Sequence, residues 1–233
     1  MNYKEEVKEK CLSSPSEEVC GLICFDNNYD LKVIELKNAH KNKSKHFQVD
    51  PSDYIKCVTS YDVLMCFHSH PSGTATPSKH DKQTSEEMAL PFLIYSVEKD
   101  NFYLYIPNSF KPKSLISRVY VEDLYQCNNL VEDYLLMNNK QRERSLIKNY
   151  CVARDNKFLL RLMNKNFDKV EKIEDVKDED VFLFKISNQA FYHLGIYVGG
   201  GEFLHQPENA LSRSEILDRK WQNRLCNIYR PKG

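Results

Sequence analysis

The order of apolar and polar positions divides the chain into two blocks. In the first, a helical segment at about residues 2–12 leads through the turn SSPSE into the apolar run Val19 to Phe25, which predicts a strand. Asn27 and Asn28 supply a turn, and alternation from Leu31 to Leu36 predicts the partner strand. Asp50 or Ser52 is placed to cap a helix that runs to about Ser60. The run DVLMCFHSH predicts another strand, SKHDKQTSEEMA a helix start, and FLIYSVE and FYLYIPN two more strands up to about Asn108. That alternation is the signature of an α/β block.

The stretch NSFKPKS, which follows Pro107 and contains Pro112, predicts a linker at 109–114 between domains at 1–108 and 115–233. Beyond it Leu124, Cys127, Leu130, Val131, Tyr134 and Leu135 fall at helical spacing, with Cys127 in the first turns. Residues 156–167 read as a further helix. The end is rich in strand signals: VFLFKI, FYHLGIYV, three glycines at 199–201, and EFLHQ.

A chain of 233 residues has length enough for two domains with their own cores. Lysine plus arginine balance aspartate plus glutamate at 33 each, which removes any long-range field toward nucleic acid or an anionic membrane. No apolar run approaches the roughly 18 to 20 residues that span a bilayer, and MNYKEEVKEK lacks the apolar centre of a signal peptide, so the expectation is a soluble protein made in a cytoplasm. The eight cysteines sit mostly in apolar stretches, as Cys20, Cys24 and Cys66 do, and read as reduced core thiols.

Candidate chemistry gathers at two places. His68 and His70 are two apart, so they project from one face at the end of their strand and can share an ion. Asp81, at the start of the following helix, turns back as a third ligand. Three nitrogen and oxygen ligands leave one tetrahedral position open, as in a catalytic zinc site. Glu18, opening the neighbouring strand, is the candidate general base, and Ser78 the candidate donor to the oxyanion. His40, His46 and His80 read as solvated loop residues.

Glu18-Val-Cys-Gly21, then His68-Ser-His70-Pro71, seven residues to Ser78 and two more to Asp81 resembles the JAMM (MPN-type) metallopeptidases over about residues 1–108. The resemblance implies a mixed-sheet, cytidine-deaminase-like domain that holds one zinc and hydrolyses peptide or isopeptide bonds.

In the second block Cys127 stands near a helix start, where the helix dipole favours a thiolate. If Gly199 to Gly201 form a three-residue loop, Val198 pairs with Glu202 and Gly195 with His205, which puts His193 and His205 on one face. A cysteine on a helix facing a histidine that a second polar residue orients is an arrangement for acyl transfer. Cys151 is a competing nucleophile without a helix start to frame it, and Cys226 reads as packing.

Cys127-Asn-Asn-Leu-Val-Glu-Asp-Tyr, Asp180-Val-Phe-Leu-Phe, His193-Leu-Gly-Ile-Tyr-Val-Gly and Phe-Leu-His205 resemble the NlpC-type cysteine peptidases over about 115–233. The resemblance implies a papain-like α+β domain with an antiparallel sheet that cuts stem peptides of bacterial cell walls. Gln126 replaces the family's usual aspartate, Asn128 and Asn129 its serine and glycine, and Glu179 a glycine. The two domains in one chain are similar to a family of tail assembly proteins of lambda-like phages. That likeness implies tail-tip proteins as partners, and a place in the host cytoplasm during assembly or in the virion tail. Two other readings stay open: a structural tail component with vestigial sites, and a peptidase that removes a ubiquitin-like tag with its first domain.

Overall fold

In the computed structural model the described residues are 2–138, 156–186 and 192–232. They form two compact units, Met1–Lys111 and Pro112–Gly233. Residues 139–142 of the expected helix after Cys127, and Cys151, lie outside the described residues.

The first unit is a five-stranded mixed sheet in the order β2-β1-β3-β4-β5: β1 (Cys20–Phe25), β2 (Leu31–Leu36), β3 (Asp62–His70), β4 (Phe92–Ser96) and β5 (Asn101–Tyr105). All its pairings are antiparallel except β3 with β4, which the helix α3 (Lys79–Met88) connects as a crossover. Each residue of β1 is buried, since both faces of that strand are covered. α1 (Tyr3–Ser13) is capped by the Asn2 side chain and buries Tyr3, Val7 and Cys11 at four-residue spacing. Cys11 hydrogen-bonds Ser69, so α1 covers the face of the sheet opposite His68 and His70.

On the histidine face, Leu22, Cys66, Phe92 and Ile94 form a core with Cys57 of α2 (Pro51–Ser60). Asp50 caps α2 and Pro51 opens it, where a missing N–H costs nothing. Gly21 is required where β1 meets its neighbours: a Cβ there would strike the Ile34 carbonyl and the Phe67 ring.

The second unit is a six-stranded antiparallel sheet in the order β10-β9-β8-β7-β11-β6. Its strands are β6 (Phe167–Val170), β7 (Val181–Lys185), β8 (Tyr192–Gly199), β9 (Glu202–His205), β10 (Arg213–Ile216) and β11 (Leu225–Pro231). One face packs Val181, Leu183, Leu194, Ile196 and Leu204 against Leu130, Val131 and Leu135 of α4 (Cys127–Met137) and Leu159 and Met163 of α5 (Asn156–Asn166). The other face packs Phe182, Phe184 and Phe203 with Trp221 of the short helix α6 (Arg219–Gln222).

Gly195 pairs with His205 as the alternation requires, but the hairpin tip differs. Gly199, not Val198, pairs with Glu202, and the register shifts between Tyr197 and Gly199. Three consecutive glycines at φ 91°, 63° and 81° allow a tight left-handed tip, and Val198 is the residue left over as a bulge. Among the described residues three strands and one α-helix went unread in the sequence: β6, β10, β11 and α6. Three of these are four residues long, and β11 is interrupted at Cys226, which is exposed rather than packed.

Candidate metal and cysteine sites

β3 delivers His68 and His70 from the end of the sheet, and α3 returns Asp81 to them. The two Nε2 atoms are 3.2 Å apart. His68 Nε2 is 3.4 Å from Asp81 Oδ1, and His70 Nε2 is 3.6 Å from Asp81 Oδ2. One ligand atom from each residue lies within 4.8 Å of the others. His70 Nδ1 donates to the Thr74 carbonyl at 2.8 Å, which leaves Nε2 with its lone pair toward the group. His68 is fully buried between Phe47, stacked at 4.7 Å, and Phe92, edge-on at 5.8 Å. Two imidazole nitrogens and a carboxylate are a donor set that fits a zinc ion.

Asp81 is also the third residue of α3. Its Oδ2 accepts from Ser78 N–H at 2.7 Å, and Ser78 Oγ accepts from Asp81 N–H at 3.1 Å, a reciprocal capping box. Ser78 is therefore first of all a cap, and a hydroxyl that accepts keeps its proton to donate. Burial opposes the Asp81 charge, but hydrogen bonds from His68, His70 and Ser78 hold the carboxyl far below the usual range. The Asp81 hydrogen bond raises His70, while burial lowers His68.

Cys20 pairs with His68, and Ser69 N–H continues the ladder to the Val19 carbonyl, so Glu18 arrives beside His70. Its backbone is held by the Lys43 carbonyl and the Asn38 amide. Burial pushes the Glu18 carboxyl up to about 7, with His70 pulling it down and Asp81 pushing it up. A carboxyl poised near neutrality is suited to take and return a proton. His80 is the second residue of α3, so it belongs to a helix and not to a loop. Phe47, Thr74 and Asn38 support this site without having been singled out, since nothing in their spacing marks them.

In the second unit Cys127 is the first residue of α4 and is half-buried. The N–H groups of Leu194, Asn128 and Cys127 itself favour its thiolate, yet burial outweighs them and raises the thiol above its ordinary value. The helix start alone thus does not supply a thiolate here. Asn129 accepts from Gln126 N–H at 3.3 Å, so two departures from the family pattern together close the first turn of α4. Leu194 follows His193 in β8, which brings the thiol next to the histidine strand; among the described residues no hydrogen bond joins Cys127 to His193.

His193 and His205 do meet, with Nε2 and Nδ1 at 2.7 Å. The chain continues to a residue that the sequence reading missed: His205 Nε2 lies 3.2 Å from Glu215 Oε1. Arg213 Nε and Trp221 Nε1 each donate to Glu215 at 2.6 Å. Burial pushes His193 down to about 3 and His205 down to about 4. A cavity of about 260 Å³ lined by His193, His205, Arg213, Glu215, Lys220 and Trp221 opens beside them.

Residues 3–109 match the family described as prokaryotic homologs of the JAB domain, and residues 120–230 match the NlpC/P60 family. Tail tip assembly protein K of Escherichia phage N15 is 24% identical over 223 residues, 92% of this chain and 88% of that protein. The protein of the same name from Escherichia phage lambda is 23% identical over 186 residues, 79% of this chain and 90% of that protein. A desampylase from Pyrococcus furiosus is 30% identical over 115 residues, 47% of this chain and 79% of that protein.

Proposed function

The chain belongs to the tail tip assembly protein K homologues, with a JAB domain followed by an NlpC/P60 domain, and from this premise we propose a phage tail-tip assembly protein with two hydrolytic centres. Residues 1–108 form the metallopeptidase domain, 109–114 the linker and 115–233 the cysteine peptidase domain. The protein works with tail-tip partners, in the host cytoplasm during assembly or in the virion tail.

The observation that carries the proposal is the convergence of His68, His70 and Asp81 within 4.8 Å, with the buried carboxyl of Glu18 beside them. His68, His70 and Asp81 would hold a zinc ion. Zinc bound there supplies Lewis acidity toward a carbonyl and a water. Glu18 accepts the proton of the attacking water and gives it to the leaving nitrogen. The Ser78 hydroxyl donates to the carbonyl oxygen as it gains charge. The bond broken is a peptide or isopeptide bond.

In the second domain Cys127 is the nucleophile toward stem peptides of the cell wall, and His193, positioned by His205, is its base. The N–H groups around the thiol stabilise the charge that develops when the proton leaves. The raised thiol and the missing thiol–imidazole hydrogen bond support a second reading for this domain alone, as a docking fold with a vestigial site. Digestion of purified peptidoglycan by the wild type, His68→Ala and Cys127→Ala separates these: loss of stem-peptide cleavage in Cys127→Ala only supports the cysteine centre. Cleavage unchanged in Cys127→Ala overturns it.

A further inference from the structure

A cavity of about 340 Å³ lies on the histidine face of the first sheet, one residue row before the metal group. Its floor is Leu22, Cys66 and Phe92, which pair across β1, β3 and β4, next to the row of Cys20, His68 and Ile94. One wall is the 81, 84, 88 stripe of α3, and the other is Phe47, Val49 and Tyr54. Asp81 belongs both to the cavity and to the metal group, and Phe47 lines the cavity while stacking on His68 at 4.7 Å.

Building on the hydrolytic reading of that group, we infer that this cavity is the subsite for a branched aliphatic side chain of the substrate, next to the scissile bond. Gln48, His80, Asp81 and Thr84 are the polar members of a lining otherwise made by aliphatic, aromatic and sulfur-bearing side chains, so burial of an alkyl group is what most of it rewards. Among the described residues no lysine or arginine lines the cavity, so it offers no such cation to pair with an acidic side chain. The shared Asp81 makes the subsite a direct neighbour of the metal group. The first domain is thereby selective for the residue that flanks the bond and not only for the bond.

The test uses the full chain with its methionine methyls labelled with carbon-13, because Met88 lines the cavity. N-acetyl-leucinamide should move the Met88 methyl signal saturably, at a concentration at least tenfold below any effect of N-acetylglycinamide. Thr84→Phe, which fills the cavity, should abolish the response. Tyr54→Ala, which enlarges it, should turn the preference toward N-acetyl-phenylalaninamide, and it decides the matter should Thr84→Phe not fold. Equal effects of the leucine and glycine probes, or a Met88 signal that neither moves, overturn the subsite. If the leucine probe moves Met88 while the chain takes up no zinc, the hydrolytic reading fails and the subsite stands. If zinc is taken up and Met88 stays still, the subsite alone falls.

Discussion

His193 and His205 share one proton at 2.7 Å, and Glu215 decides which ring owns it. An ionised carboxylate only accepts, so His205 Nε2 must carry a hydrogen toward Glu215 Oε1. His205 Nδ1 then has the lone pair, His193 Nε2 donates to it, and His193 Nδ1 is left as the free base. Glu215→Leu should scramble this order and cut stem-peptide hydrolysis about a hundredfold or more, the usual worth of a positioned base. Turnover assays, with zinc content unchanged, check it.

The purified chain should hold one zinc, and His68→Ala should lose it. Elemental analysis of both proteins measures this directly. Equal zinc in the two would remove His68 from the ligand set.

Ser78→Ala should cost about 1 kcal/mol of stability through the lost cap. It should also weaken zinc binding about tenfold, because Asp81 loses the partner that fixes its backbone. Thermal melts and competition with a chelator read the two effects separately.

Acid should unfold the second unit early. His193 and His205 sit at about 3 and 4 in the fold, below the ordinary 6.5, so the unfolded chain takes up protons that the folded one refuses. The stability they confer is full above about pH 6.5 and declines as pH falls toward 4, by up to about 1.4 kcal/mol per pH unit for each ring. The single tryptophan, Trp221, lies 5.3 Å from His205 and reports unfolding of this unit. Denaturation followed at Trp221 should show the slope, and His193→Phe should flatten it.

Gly21→Ala should destabilise the first unit by about 1–3 kcal/mol, as overpacking does, because the added methyl meets the Ile34 carbonyl and the Phe67 ring. Urea midpoints of the two proteins test this.

Much of the first unit was legible because its strands are long apolar runs and its helices carry caps, as Asp50 and Ser78 show. The pair His68 and His70 could be placed from strand periodicity alone, and Glu18 from the strand it precedes. Phe47 and Thr74 could not, since each acts through a contact that loop closure creates. In the second unit, Gly195 opposite His205 followed from hairpin geometry, whereas Val198 slipped into a bulge that alternation does not encode. Glu215 was invisible because β10 has four residues and a polar sequence, and its meaning comes from Arg213, Trp221 and His205 converging on it.

The box between Ser78 and Asp81 gives the first site a clock. Asp81 cannot swing away from His68 and His70 without releasing the Ser78 N–H it holds at 2.7 Å, a contact that helps close the first turn of α3. For an ion held by His68, His70 and Asp81 as proposed, release would be coupled to loss of this box, and Ser78→Ala, which removes its hydroxyl half, would shorten the residence time with those three side chains untouched.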